Sequence, residues 1–210
     1  MNYQNELDKL IKKLDYKPTL LLHSCCGPCS TQVLTYLCPF FNITVLYYNP
    51  NIEPIEEYIK RKNEQIRFIK EFNHDNIKFL DCDYDNETFR NKTKGLENEK
   101  EGKARCPVCF RLRLEYTAKK AKELNYDYFG TTLTVSPHKN SRQINILGGI
   151  IGEKYNIKYL FSDFKKGEGY KKSIEYSKEY NLYRQDYCGC LYAKSLEMKK
   201  NNWINKQIII

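Results

Sequence analysis

The chain has 210 residues, nine of them cysteine, and carries a net charge of +9. That length suffices for one domain with its own core, no stretch approaches the ~20 apolar residues of a membrane span, and the charged, helix-patterned start is not a secretory leader, so a cytoplasmic protein is expected. Nine cysteines in a reducing compartment argue against a disulfide framework and for metal or redox chemistry.

The opening MNYQNELDKLIKKLDYKP reads as a short helical arm over about residues 1–17. Residues 19–24 (TLLLHS) form an apolar strand that ends at Cys25, Cys26 and Cys29, and residues 30–37 form the helix after them. Residues 43–50 are a second strand, stopped by Asn-Pro. An amphipathic helix follows over 54–72, with Pro at its start. Residues 77–84 read as a third strand, 109–125 as a long helix, 127–135 as a fourth strand, 142–154 as a helix and 158–164 as a fifth strand. Residues 165–172 (KKGEGYKK) read as a glycine-containing basic loop.

Strand-helix alternation predicts one α/β domain over 1–210, with a mostly parallel sheet covered by helices on both faces. Ligands of such sheets sit beyond the carboxyl ends of the strands. Cys25 to Cys29 follow the first strand, and TTLTVSPHKN follows the fourth, so chemistry is expected at that edge.

Seven cysteines fall in three groups: Cys25, Cys26 and Cys29; Cys106 and Cys109 in RCPVCFRLRL; Cys188 and Cys190 in DYCGCLYAK. Cys38 and Cys82 stand alone and read as small buried apolar residues. A C-x-x-C pair serves zinc sites, iron-sulfur clusters and thiol redox centres alike. One structural zinc would use four thiols and leave three over, and a [4Fe-4S] cluster would do the same. The flexible Gly189 suits a strained, reducible pairing of Cys188 with Cys190. Spacing alone leaves a cluster and zinc both open. Arg105, Arg111 and Arg113 flank the second group and are candidates to balance thiolate charge.

HSCCGPCS, RCPVCFRLRL, TTLTVSPHKN and YCGCLY, in this order, resemble the cobalamin-independent, iron-sulfur epoxyqueuosine reductases, over about residues 19–192. The resemblance implies a fold related to adenine-nucleotide alpha hydrolases and PP-loop enzymes. It implies reduction of the epoxide of epoxyqueuosine at the tRNA wobble position, with an external electron donor. It also implies a [4Fe-4S] cluster on Cys25, Cys26, Cys106 and Cys109, and Cys188 and Cys190 as a redox pair. An additional iron ion would draw on Cys29, Cys188 and Cys190, with Cys29 open between ligation and packing. Two rivals are an iron-sulfur tRNA sulfur transferase of the PP-loop type and a zinc-stabilised RNA-binding protein. Thiols replace the glycine-rich phosphate cradle, so ATP use is not expected.

The reaction needs a proton donor, and His23, His138, Asp186 and Tyr187 are candidates. Ser136, Pro137 and Lys139 are candidates to touch substrate, or form a turn that caps the next helix. Lys165, Lys166, Lys171 and Lys172 are candidates for tRNA phosphate contacts, against the bland reading of a solvated charge cluster.

Overall fold

The computed structural model describes residues 2–193; positions 194–210, counted in the expected domain, lie outside the described residues. Five strands form an all-parallel sheet in the order β3-β2-β1-β4-β5. They are β1 (Thr19–His23), β2 (Asn42–Leu46), β3 (Ile77–Leu80), β4 (Tyr128–Thr131) and β5 (Lys158–Tyr159). The helices are α1 (Tyr3–Ile11), α2 (Gly27–Leu37), α3 (Ile55–Phe72), α4 (Asn86–Lys92), α5 (Arg105–Glu123), α6 (Ser141–Tyr155) and α7 (Gly169–Glu179). The expected α/β class is therefore observed, in a Rossmann-like form.

Helices cover both faces, and the period of two in β1 shows how. Leu20 and Leu22 enter one core with Val33, Leu34 and Leu37 of α2, Phe68 of α3 and Leu7 of α1. Leu21 enters the other core with Phe110, Leu114 and Ala118 of α5 and Ile144 and Ile151 of α6. A strand buried on both sides reads as a continuous apolar run, which is why β1 was visible.

The chain winds from β1 outward through β2 to β3, then returns to β4 on the other side of β1. The carboxyl ends of β1 and β4 thus flank a switch point, where open parallel sheets leave a crevice. Residues 24–29 leave β1 there, and residues 132–139 leave β4 there.

The strands β2, β3 and β5 end earlier than expected and α5 begins earlier, at Arg105, and three further departures have physical causes. First, α2 begins at Gly27, not at residue 30. Cys26 is its N-cap with extended backbone, and Pro28 fills the first turn, where no N–H partner is needed. Second, β4 stops at Thr131. The Thr131 hydroxyl accepts the Leu133 N–H at 3.2 Å and turns the chain into a 3₁₀ turn over Thr132–Val135. Third, Lys171 and Lys172 stand on α7 and not in a loop. The buried face of α7 is Gly169, Ser173 and Ser177, so it carries no hydrophobic period.

Candidate metal centre

The β1-to-α2 junction gathers three sulfurs. The Sγ atoms of Cys25, Cys26 and Cys29 lie within 4.8 Å of one another, with Cys25 and Cys26 at 3.8 Å. Cys25 leaves the strand, Cys26 caps the helix, and Cys29 stands on its first turn. Convergence therefore comes from the strand-to-helix transition; Gly27 and Pro28 are the start of α2 and not a separate turn between thiols. Gln185 donates its Nε2–H to Cys26 Sγ at 2.9 Å. Hydrogen bonds from Cys26 and Cys29 hold the Cys25 thiol well below its ordinary pKa, against the opposing effect of burial. The same interactions with Cys25 push Cys26 and Cys29 up. Three mutually contacting soft donors at a helix N-terminus fit a thiophilic metal ion.

A second group forms on the first turn of α5. Its N-cap, Ala104, offers no side-chain hydrogen bond, and the Gly102 N–H instead donates to Cys106 Sγ at 3.0 Å. Cys106, Cys109, Cys188 and Cys190 line one small cavity, closed by Phe89, Phe110 and Ala193 and by the charged Glu101, Arg105 and Arg113. Burial raises Cys106 and Cys190 and pushes Cys109 up to about 12. Cys188 also reaches a cleft of about 380 Å³ that Cys25 and Cys29 line. The sequence-predicted thiols thus assemble as Cys25 and Cys26 with Cys29, and as Cys106 and Cys109 with Cys188 and Cys190. Cys188 borders both hollows. All nine cysteines are free thiols in the structure.

Arg113 links the two groups, since it lines both the cleft and the small cavity. It is fully buried; its Nε donates to Cys109 O at 3.3 Å, and its Nη2 has no partner among the described residues. Burial works against its charge, and the thiols of Cys109, Cys188, Cys25 and Cys106 outweigh that cost. Of the other two candidates, Arg105 also lines the small cavity, where its charge favours the thiolates of Cys190 and Cys106 against burial, and Arg111 does not. Arg105 pins the preceding loop through the carbonyls of Leu96, Glu97 and Glu99 at 2.6–3.1 Å. Arg111 faces solvent beside Glu115.

The remaining candidates separate by burial. His23 is fully buried, with Nδ1 2.9 Å from Thr131 Oγ1 and Nε2 3.1 Å from Tyr48 O. A carbonyl only accepts, so Nε2 carries the proton and Nδ1 accepts from the threonine. Burial, followed by the charge of Arg113, lowers the His23 pKa to about 3. His138, Lys139, Asp186 and Tyr187 line the cleft, as does Ser136, while Pro137 is exposed on the same turn. The Lys139 ammonium, disfavoured by burial, is held charged by Cys188, Cys25 and Cys29. Asn140 caps α6, its Oδ1 accepting the Gln143 N–H at 3.1 Å, so the turn before α6 serves both the cap and the cleft wall. Sequence reasoning missed Gln185 and Arg61. Both act on thiol-bearing segments far away in the chain, and no local spacing marks them.

The fold and this site together define a Rossmann-like α/β protein with a thiol-rich, cation-lined cleft at the switch point of its sheet. The family model described as epoxyqueuosine reductase QueH matches residues 20–196. The epoxyqueuosine reductase QueH of Streptococcus pyogenes serotype M1 is 45% identical over 203 residues, covering 94% of this chain and 80% of that protein. That of Staphylococcus epidermidis is 44% identical over 214 residues, covering 98% and 90%. That of Thermotoga maritima is 35% identical over 192 residues, covering 90% and 97%. The chain belongs to the epoxyqueuosine reductase QueH family.

Proposed function

We propose that this chain is itself an epoxyqueuosine reductase, an oxidoreductase that turns epoxyqueuosine in tRNA into queuosine in the last step of queuosine synthesis. The observation that carries this reading is the Cys25, Cys26 and Cys29 triad at the switch-point cleft of a chain from this family. The epoxide loses its oxygen as water, which takes two electrons from an external donor and two protons, and a C=C bond remains. When bound, a [4Fe-4S] cluster supplies electrons one at a time, and an additional iron ion supplies a Lewis acid.

Cys25, Cys26, Cys106 and Cys109 are the proposed cluster ligands. Support for one shared centre comes from Arg113, whose buried charge is held by thiols of both groups. Proximity to Cys25 and Cys26 favours ligation over packing for Cys29. Cys188 and Cys190 are left as donors to the additional iron or as a redox pair. A cleft of about 380 Å³ is in the range of small-ligand sites, enough for the modified part of one nucleoside. Lys139 supplies a positive charge for the departing oxygen. His138 and Asp186 face the same space and are the proton-donor candidates, while the Tyr187 hydroxyl, which also borders it, donates to Glu53 O at 2.8 Å. His23 leaves that role, since it is buried, neutral and bonded at both nitrogens.

A tRNA enzyme of this kind works in the cytoplasm. Among the described residues no helix is long and apolar enough to cross a membrane. Tyr170 and Ser173 of α7 line the cleft, which puts the lysines beside them at its rim. Lys165 is partly spoken for: its Nζ donates to Lys139 O at 3.0 Å. Lys166, Lys171 and Lys172 are exposed. Reversing these three to Glu should weaken tRNA binding at low salt by about tenfold or more. It should also flatten the salt dependence by about 0.7 to 0.9 in log-log slope for each phosphate that is no longer neutralised. Unchanged affinity would remove α7 from the tRNA-binding surface.

The test of the function is nucleoside analysis of epoxyqueuosine-containing tRNA incubated anaerobically with the reduced protein. Epoxyqueuosine should disappear as queuosine appears; no conversion by iron-replete protein ends the proposal. Protein that carries one zinc and no iron would retire the cluster.

A further inference from the structure

The segment over residues 180–190 brings two thiols to the centre, yet it is irregular chain. One face of α3 grips it with charged side chains. Arg67 donates to Tyr180 O at 3.1 Å and Asn181 O at 3.0 Å. Glu64 Oε2 accepts the Tyr183 N–H at 2.8 Å. Arg61 donates from Nη2 to Tyr187 O at 3.3 Å and from Nη1 to Cys188 O at 3.4 Å. Positions 57, 61, 64 and 67 recur at three and four, so they form a continuous row on the helix.

Arg61 is the buried member of the row, and its Nε is held by Glu57 Oε1 at 2.6 Å. The guanidinium lies 4.9 Å from the Tyr187 ring centroid. The turn is shaped around it. Gly189 has φ +105°, where side chains are strained, and an added Cβ would come 2.8 Å from Ile52 Cγ1 and 3.1 Å from Arg61 Nη1. Gly189 O in turn accepts the Glu53 N–H at 2.9 Å.

We propose that Arg61 is the positioning residue for Cys188. Its planar fork ties down the two successive carbonyls before Gly189, and so fixes how Cys188 enters the cleft that Cys25 and Cys29 line. Only the kinetic part rests on the reading that Cys188 serves epoxide reduction. Lysine at position 61 would keep a charge beside Glu57, but a single ammonium cannot reproduce the rigid fork that serves the carboxylate and both carbonyls.

The experiment compares wild type, Arg61→Lys and Arg61→Met as purified holoprotein. Native alkylation by iodoacetamide is followed at each cysteine by peptide mass spectrometry, with buried Cys38 as the internal reference. Both variants should label Cys188 about tenfold faster relative to Cys38, and kcat should fall by about tenfold or more while KM for tRNA stays within about threefold. Cys188 labelling at the wild-type rate overturns the proposal. So does an equal rise at Cys38, which would mean general loosening. Should Arg61→Met fail to fold, Arg61→Lys decides alone. If Cys188→Ser keeps full turnover, the role of Cys188 in the reaction falls, while the labelling ratio still judges Arg61.

Discussion

Arg113→Met is expected to strip the protein of most of its metal and of at least about a hundredfold in turnover, while the metal-free chain melts no lower than wild type. A buried guanidinium costs several kcal/mol unless it is paired. In Arg113 the groups that hold the charge are thiols, and Nη2 has no partner among the described residues. Without metal the pairing is weaker: burial keeps Cys109 protonated up to about 12 and also raises Cys106, while Cys25 is held well below its ordinary pKa and still faces the guanidinium. Methionine fills similar volume with no charge to desolvate, so the exchange is neutral or stabilising in that state. With metal the sign reverses. Each thiolate then adds negative charge to a dry site, and Arg113 is the buried cation that lines both hollows. Metal per chain after anaerobic purification and the thermal midpoint of metal-free samples check both halves. A variant that retains its metal, or whose metal-free form melts well below wild type, would make Arg113 a packing residue.

Much of the fold was legible because parallel strands are buried on both faces. Leu20, Leu21 and Leu22 serve two different cores, so β1 had to be apolar at every position. α7 was not legible for the opposite reason. Its buried positions are Gly169, Ser173 and Ser177, and a Cβ on Gly169 would lie 1.8 Å from Phe164 O in the turn just before the helix. Close approach demanded small residues, and small residues write no apolar stripe. The thiols themselves were plain, because their spacing within each group is local. Which groups meet is set by the sheet order, which places β4 beside β1 and brings the chain back over the switch point. Among the arginines, helical phase made the choice. Arg111 and Arg113 are two apart, so they cannot share a face of α5; one reaches solvent and the other the thiols. Gln185 and Arg61 were invisible because their partners, Cys26 and Cys188, lie on distant segments.

Acid should unfold the metal-free protein largely through His23. Burial, and then the nearby Arg113, lower its pKa from 6.5 to about 3 in the folded chain. The unfolded chain therefore takes up this proton first as the pH drops, and between those two values it holds more protons than the fold does. Stability from neutral His23 is fully present above pH 6.5 and is lost toward pH 3, at about 1.4 kcal/mol per pH unit and on the order of 5 kcal/mol in all. Cys25, Tyr48 O and Asn49 favour the imidazolium, but burial and the charge of Arg113 outweigh them. Tyr48 O needs the proton on Nε2, and Thr131 Oγ1, which already accepts the Leu133 N–H, uses its own hydrogen on Nδ1. A second proton on the ring would face that hydroxyl hydrogen at the end of β1, beside the switch point itself. Urea unfolding of metal-free protein across this pH range measures the slope, and His23→Gln should start less stable at neutral pH yet lose less on acidification. An equal slope in the variant would assign the acid sensitivity to other groups, as would a folded-state imidazole that titrates by nuclear magnetic resonance near 6.5.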